Sequence, residues 1–235
     1  MRWVIVPRKG LVLSLLVLLA ALFAYWGFRH QGVEVQKQRE TLLETALKNT
    51  RASKSYRYRI DTRLPAAGTE KGKYLSSFTG EFVAPDRAHV KGSLVKTPME
   101  FVQVGENAYV KDFLTGKWFV LQGNRLMQSE LFVTEVNPMA VFNFKDVPQM
   151  QYLGQKKVGG KKYEALEVKP LVHNPYLETQ FTDFTYRLYI DPRETRLARA
   201  EIEAYARSDR KQKLEVTIEF WDYNKPIRIE PPPVG

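Results

Sequence analysis

The sequence predicts a mainly β (α+β) fold behind an N-terminal transmembrane helix, and three observations predict it. Leu11 to Phe28 is an uncharged run of eighteen residues. Apolar and charged residues alternate strictly in several segments between Tyr56 and Phe220. Short clusters of Gly, Pro, Asn and Asp separate those segments, as hairpin turns require.

The apolar run comes first. As a helix it would reach roughly 27 Å, close to the hydrocarbon thickness of a bilayer. Tyr25 and Trp26 at its far end suit the membrane interface, and Arg2, Arg8 and Lys9 before it fix the orientation, because positive flanks stay in the cytoplasm. Residues 1–10 are therefore expected as a cytoplasmic tail, 11–28 as the anchor, and everything beyond as extracytoplasmic. A signal peptidase site needs small residues at minus three and minus one, but Ala24 is preceded by Leu22 and Gly27 by Tyr25. The expectation is an uncleaved, single-pass protein of the cell membrane. The chain has no cysteine, which excludes both a lipid-modified N-terminal Cys and a disulfide framework.

Some 200 residues follow, enough for one domain with a sizeable core. The chain carries 36 Lys+Arg against 26 Asp+Glu, a net charge of +10, of which the tail holds three positive charges and the remainder about seven. That excess could attract an anionic surface or nucleic acid. Basic and acidic residues interleave along the strands, however, and the densest group, Lys156, Lys157, Lys161 and Lys162, flanks Gly159-Gly160 as a solvated hairpin tip would. No nucleic-acid partner is expected.

From Val33 to Ser53 the spacing predicts one helix, whose start (29–40) is juxtamembrane. Val35, Leu42, Leu43, Ala46 and Leu47 form its apolar stripe. Strands follow. Tyr56, Tyr58, Ile60 and Leu64 alternate with Arg57, Arg59, Asp61 and Arg63, the period-two pattern of a sheet with one buried face. The same pattern recurs from Phe184 to Ile190, from Ala198 to Arg207 and from Leu214 to Phe220, and turns at 191–194 and 208–210 join these three into an antiparallel meander whose outer face pairs opposite charges. Shorter strands are expected at 74–83, 88–95, 99–104, 108–111 and 118–122. Only two interruptions read as helical, Gln128 to Val136 and a short one opening at Asn137-Pro138. The prolines at 231–233 end the fold, since proline cannot donate to a ladder.

The segments Gly80 to Arg87 (GEFVAPDR), Gly105 to Val110 (GENAYV), Thr115 to Trp118 (TGKW) and Phe220 to Pro232 carry a resemblance to the LolA-like and LppX/LprG-like extracytoplasmic lipoprotein superfamily, over roughly Thr41 to Pro232. The resemblance implies a strongly curved antiparallel sheet or incomplete barrel covered by helices, over residues 41–235, with a concave face that takes acyl chains. It differs in lacking the lipobox cysteine. It also implies a lipophilic ligand at the cell envelope; a sensor or protein-interaction domain with an envelope protein partner is the alternative.

Catalytic chemistry has little to stand on. His30, His89 and His173 lack metal-ligand spacing, no thiol exists, and neither a Gly-x-Ser-x-Gly elbow nor a phosphate-cradling loop is present. No enzyme, metal or cofactor is expected. The functional signal is aromatic: Phe78, Phe82, Phe101, Trp118, Phe132, Phe142 and Phe144 fall where a sheet would face its helical cover. They read either as ordinary core or as the lining of an acyl pocket, because a filled and a hollow interior use the same residue types.

Overall fold

The computed structural model describes residues 37–64, 74–123 and 137–234. The chain divides into two compact units, Met1–Leu42 and Leu43–Gly235. Of the first, only residues 37–42 are described, and they are helical. The apolar run at 11–28 and the helix expected at 128–136 lie outside the described residues.

Helix α1 is described over 37–51. After it come β1 (Ser55–Arg63), β2 (Tyr74–Val83), β3 (Arg87–Leu94), β4 (Thr97–Val104), β5 (Asn107–Lys111) and β6 (Trp118–Leu121). A 3-10 helix (Pro138–Phe142) leads into β7 (Phe144–Val158) and β8 (Lys161–Val172). The short helix α2 (Pro175–Gln180) precedes β9 (Phe181–Asp191), β10 (Arg196–Ala206) and β11 (Lys213–Trp221). All eleven strands join one sheet in the order β6-β5-β4-β3-β2-β1-β11-β10-β9-β8-β7, and every neighbouring pair is antiparallel. The sheet is open, with β6 and β7 at its edges. Two meanders build it, β1 to β6 running outward and β7 to β11 running back, and the β1–β11 ladder joins them at the centre.

Register follows from the alternation. Tyr58 pairs with Phe220 and Gly80, and Ile60 with Ile218 and Phe78, so these residues share an inner face. Arg57, Arg59 and Asp61 share the outer face with Glu81, Glu219 and Thr217. Slipping by one residue would bury the arginines and expose the aromatics, which fixes the pairing. Gly80 is a packing requirement: an added Cβ would stand 2.1 Å from Tyr58 Cζ, so the absent side chain lets the tyrosine ring lie across β2.

The expected outer lattice of opposite charges is present. Arg57 meets Glu81 at 2.7 Å and Asp222 at 2.8 Å, Arg187 meets Glu167 at 3.0 Å, and Arg199 pairs with both Glu201 and Glu219. Such exposed pairs contribute only tenths of a kcal/mol each, so burial of the inner face carries most of the stability.

Three details differ from expectation. In β10, Leu197 pairs with Ile190 and Arg199 with the next residue, Tyr189, so Ala198 is the extra residue of a bulge. Leu197, fully buried, takes the inward position expected of Ala198. A helical interruption that was not expected, α2, appears in addition to the short one at Pro138–Phe142. Asn174 caps it by accepting from the Leu177 amide at 3.0 Å, while the Glu178 carboxylate accepts from the Asn174 amide at 3.0 Å. Finally, β7 runs for fifteen residues although its sequence scarcely alternates.

Candidate functional site

The inner face is covered, among the described residues, by the C-terminal turns of α1 and by the 3-10 helix. Leu43, Ala46 and Leu47 are buried there. Thr50 Oγ1 accepts from the Leu197 amide at 3.0 Å, and Asn49 Nδ2 donates to the Thr195 carbonyl at 3.1 Å, which pins the last turn of α1 to the β9–β10 hairpin. Tyr186 donates its hydroxyl to the Val141 carbonyl at 2.9 Å, tying the 3-10 helix to β9. Burial raises the Tyr186 pKa, keeping that hydroxyl a donor at all ordinary pH values.

Between these elements and the β7 edge lies a groove of about 560 Å3. Leu43, Leu47 and Arg51 line it from α1, spaced four residues apart so that they stack on one helical face. Phe142 and Asn143 contribute from the end of the 3-10 helix, Phe144, Lys145 and Val147 from β7, and His173 from the end of β8. The aromatic floor is interlocked: the Phe144 ring stands edge-on to Tyr186 at 5.1 Å and to Phe142 at 6.4 Å. The rim is polar. Arg51 Nη2 donates to the Phe142 carbonyl at 2.8 Å and to Asn143 Oδ1 at 3.3 Å. Lys145 meets Glu178 at 2.8 Å, and that hydrogen bond outweighs desolvation and holds the Glu178 carboxyl below the usual carboxylate range.

A second hollow of about 740 Å3 opens where β8 and β9 part, beyond the last paired residues Val168 and Tyr186. Its walls mix Leu171, Phe181 and Tyr205 with Lys169, Asp183 and Arg207. No group of three or more His, Asp or Glu among the described residues could hold a metal ion. His89 is engaged by Glu100 at 2.9 Å.

The seven aromatic candidates do not converge on one place. Phe142 and Phe144 line the groove. Phe78 and Phe101 are buried on the inner face of β2 and β4, cross-strand from Ile60 and Val90. Phe82 stacks on Tyr56 at 4.9 Å, and Tyr56 in turn meets Phe220 edge-on at 5.7 Å. Trp118 lies on the outer face, cross-strand from Lys111, and packs against a cluster of Val102, Tyr109 and Ile229 under the C-terminal tail. Phe132 lies outside the described residues. The helix stripe that supplies Leu43 and Leu47 was visible in the sequence. Arg51, one turn further along the same stripe, was not singled out, although a cation on an apolar stripe is the signal that would have found it.

No protein-family model and no curated protein matches the chain. Among solved structures it is similar to lipoprotein LppX from Mycobacterium tuberculosis, with 16% identity and a TM-score of 0.56 over 81% of this chain and 99% of that one. LprF from Mycobacterium bovis gives 17% identity and a TM-score of 0.57 over 85% and 98%. The LppX/LprG-like fold implied by the sequence resemblance is thus the fold observed: a mainly β domain on one open antiparallel sheet with few helices.

Proposed function

We propose that the protein is a membrane-anchored, extracytoplasmic binder that holds an acyl chain of a lipophilic ligand in the groove between α1 and β7. The observation that carries this reading is the groove itself. Its floor of Leu43, Leu47, Phe142, Phe144 and Val147 is apolar, and its volume of about 560 Å3 falls within the range of small-molecule sites. The fold shared with two mycobacterial lipoproteins agrees with an envelope location. In this reading Leu11–Phe28 spans the membrane, residues 1–10 are cytoplasmic and residues 41–235 face outward. No helix among the described residues is long and apolar enough to cross a membrane, so the anchor rests on the sequence.

Native mass spectrometry of the full chain, released from its own membranes in a mild detergent, tests the reading. A co-purifying lipid that is lost in Val147→Trp, where an indole fills the groove, is the expected result. Lipid retained equally in the variant would place the ligand elsewhere. The alternative, a protein-interaction domain, draws on the β5–β6 turn, where Phe113 and Leu114 are 53% and 84% exposed. A lipid-free chain held in a stable complex through that turn would favour it.

A further inference from the structure

Arg51 carries a charge that no carboxylate among the described residues answers. Both of its hydrogen bonds leave from Nη2 and end on neutral oxygens, the Phe142 carbonyl and the Asn143 side-chain amide. Among the described residues no carboxylate lies within ion-pair distance of it. On the outer face the contrast is plain, since Arg57, Arg187 and Arg199 each meet two carboxylates. Desolvation lowers the Arg51 pKa, the effect of a cation set against apolar surroundings without a counter-charge. The residue nevertheless stays accessible, so a ligand can reach it.

Its position gives the charge a direction. Arg51 stands on the same helical stripe as Leu43 and Leu47, at one end of the groove, with Lys145 and His173 also on the lining. Glu44, the carboxylate that lines the groove, precedes it by seven residues, about 10 Å along the helix axis. The trough is therefore apolar along its length and cationic at the Arg51 end.

Resting on the acyl-chain reading above, we infer that the groove takes an anionic amphiphile, whose carboxylate or phosphate accepts from Nη1 of Arg51 while its chain lies over Leu43, Leu47 and Phe144. Neither hydrogen bond within the protein uses Nη1, and a charge-assisted bond from a guanidinium to an oxyanion is strengthened where water is scarce.

The test uses the full chain in phosphatidylcholine nanodiscs with three diazirine-bearing photoprobes: palmitic acid, its methyl ester and a phosphatidic acid. Labelling is mapped to the peptides covering 43–51 and 142–147. The acidic probes are expected to label these about tenfold more than the ester. Arg51→Gln should bring that ratio to about one while ester labelling persists, which also reports an intact groove, and Arg51→Lys should keep part of the preference. The ratio of palmitate to phosphatidate labelling identifies the source of the oxyanion. Equal labelling by acid and ester in the wild type would overturn the headgroup role and leave the groove reading standing, whereas no labelling by any probe would remove the groove reading itself. Displacement of palmitate by millimolar inorganic phosphate would overturn the amphiphile and leave a site for the free anion.

Discussion

On the β9-β10-β11-β1 side of the sheet the outer face carries Arg187, Glu201, Arg199, Glu219 and Arg59, and the inner face carries Tyr186, Ile202, Ile218 and Ile60. On the β4-β5-β6 side the outer face carries Val102, Val104, Tyr109, Trp118 and Val120, and at β6 the inner face leaves Phe119 and Leu121 exposed. The cause is the tail after β11: Ile227 and Ile229 pack onto the outer valines and Trp118, and Arg87 Nη1 holds the tail by donating to the Ile229 carbonyl at 2.9 Å. Alternation sorts residues onto two faces, but what covers each face is decided by segments far away in the chain.

The sharpest way to break this comparison is to place the same lysine on each face of each side. Ile218→Lys puts an unpaired charge at a fully buried position between Ile60 and Ala200 and should cost about 4 kcal/mol. Thr217→Lys, flanked on the outer face by Asp61 and Glu201, should stay within about 0.5 kcal/mol. On the other side the order reverses. Val102→Lys, outer but buried under the tail, should cost about 3 kcal/mol, while Phe119→Lys, inner but 53% exposed, should cost less than about 1 kcal/mol. Unfolding of the full chain in mild detergent measures all four. Equal penalties for Val102→Lys and Thr217→Lys would mean that the tail does not cover the outer face.

A milder change isolates the tail. Ile229→Ala removes the buried side chain that bridges Val102 and Tyr109, at a cost of about 2 kcal/mol. The loss should be local. Amide exchange should quicken in β4, β5 and β6 and stay unchanged in β9, β10 and β11. Uniform acceleration across the sheet would deny the two sides their separate covers.

This asymmetry also explains what the sequence made legible. The strands of the central ladder were readable to their faces, because Tyr58, Ile60, Ile218 and Phe220 alternate with charges and both faces then have one consistent environment. Trp118 reads from the sequence as an inner-face residue, core or pocket lining, because aromatic residues usually face a core; the second core lies on the other face, built by tail residues more than a hundred positions later. The length of β7 was hidden for a different reason. An edge strand pairs on one side only, so it tolerates Pro148 and a run of exposed Gln and Lys that carry no period. For α2 the signal was present, since Asn174-Pro175 repeats the Asn137-Pro138 start, but six residues are too few to show a helical stripe. In the groove, the stripe of α1 and the pair Phe142 and Phe144 were legible. Arg51 was legible as a cation on that stripe, though not singled out; Lys145 was not, because its importance comes from a strand brought beside the helix only by folding.

The smallest effect concerns a charge cluster on the tail-covered side. Glu100 on β4 receives Lys111 at 3.0 Å and stands 2.9 Å from His89 Nε2, with Lys91 cross-strand. Burial alone would raise its pKa, but the hydrogen bonds from His89 and Lys111 outweigh that and hold the carboxyl below its ordinary value of 4.5. A depressed carboxylate pKa in the folded state contributes stability at pH values above 4.5, and the contribution fades as the pH falls from there through the folded-state value. Glu100→Gln keeps the shape and removes the charge. At pH 7 it should destabilise the chain by less than about 1 kcal/mol, because solvent screens a partly exposed cluster. The gap between wild type and variant should shrink in urea unfolding as the pH falls from 4.5 through the folded-state value. A gap that does not shrink as the pH falls would assign the effect to packing beside the outer cluster, and the electrostatic account of this side of the sheet would fall.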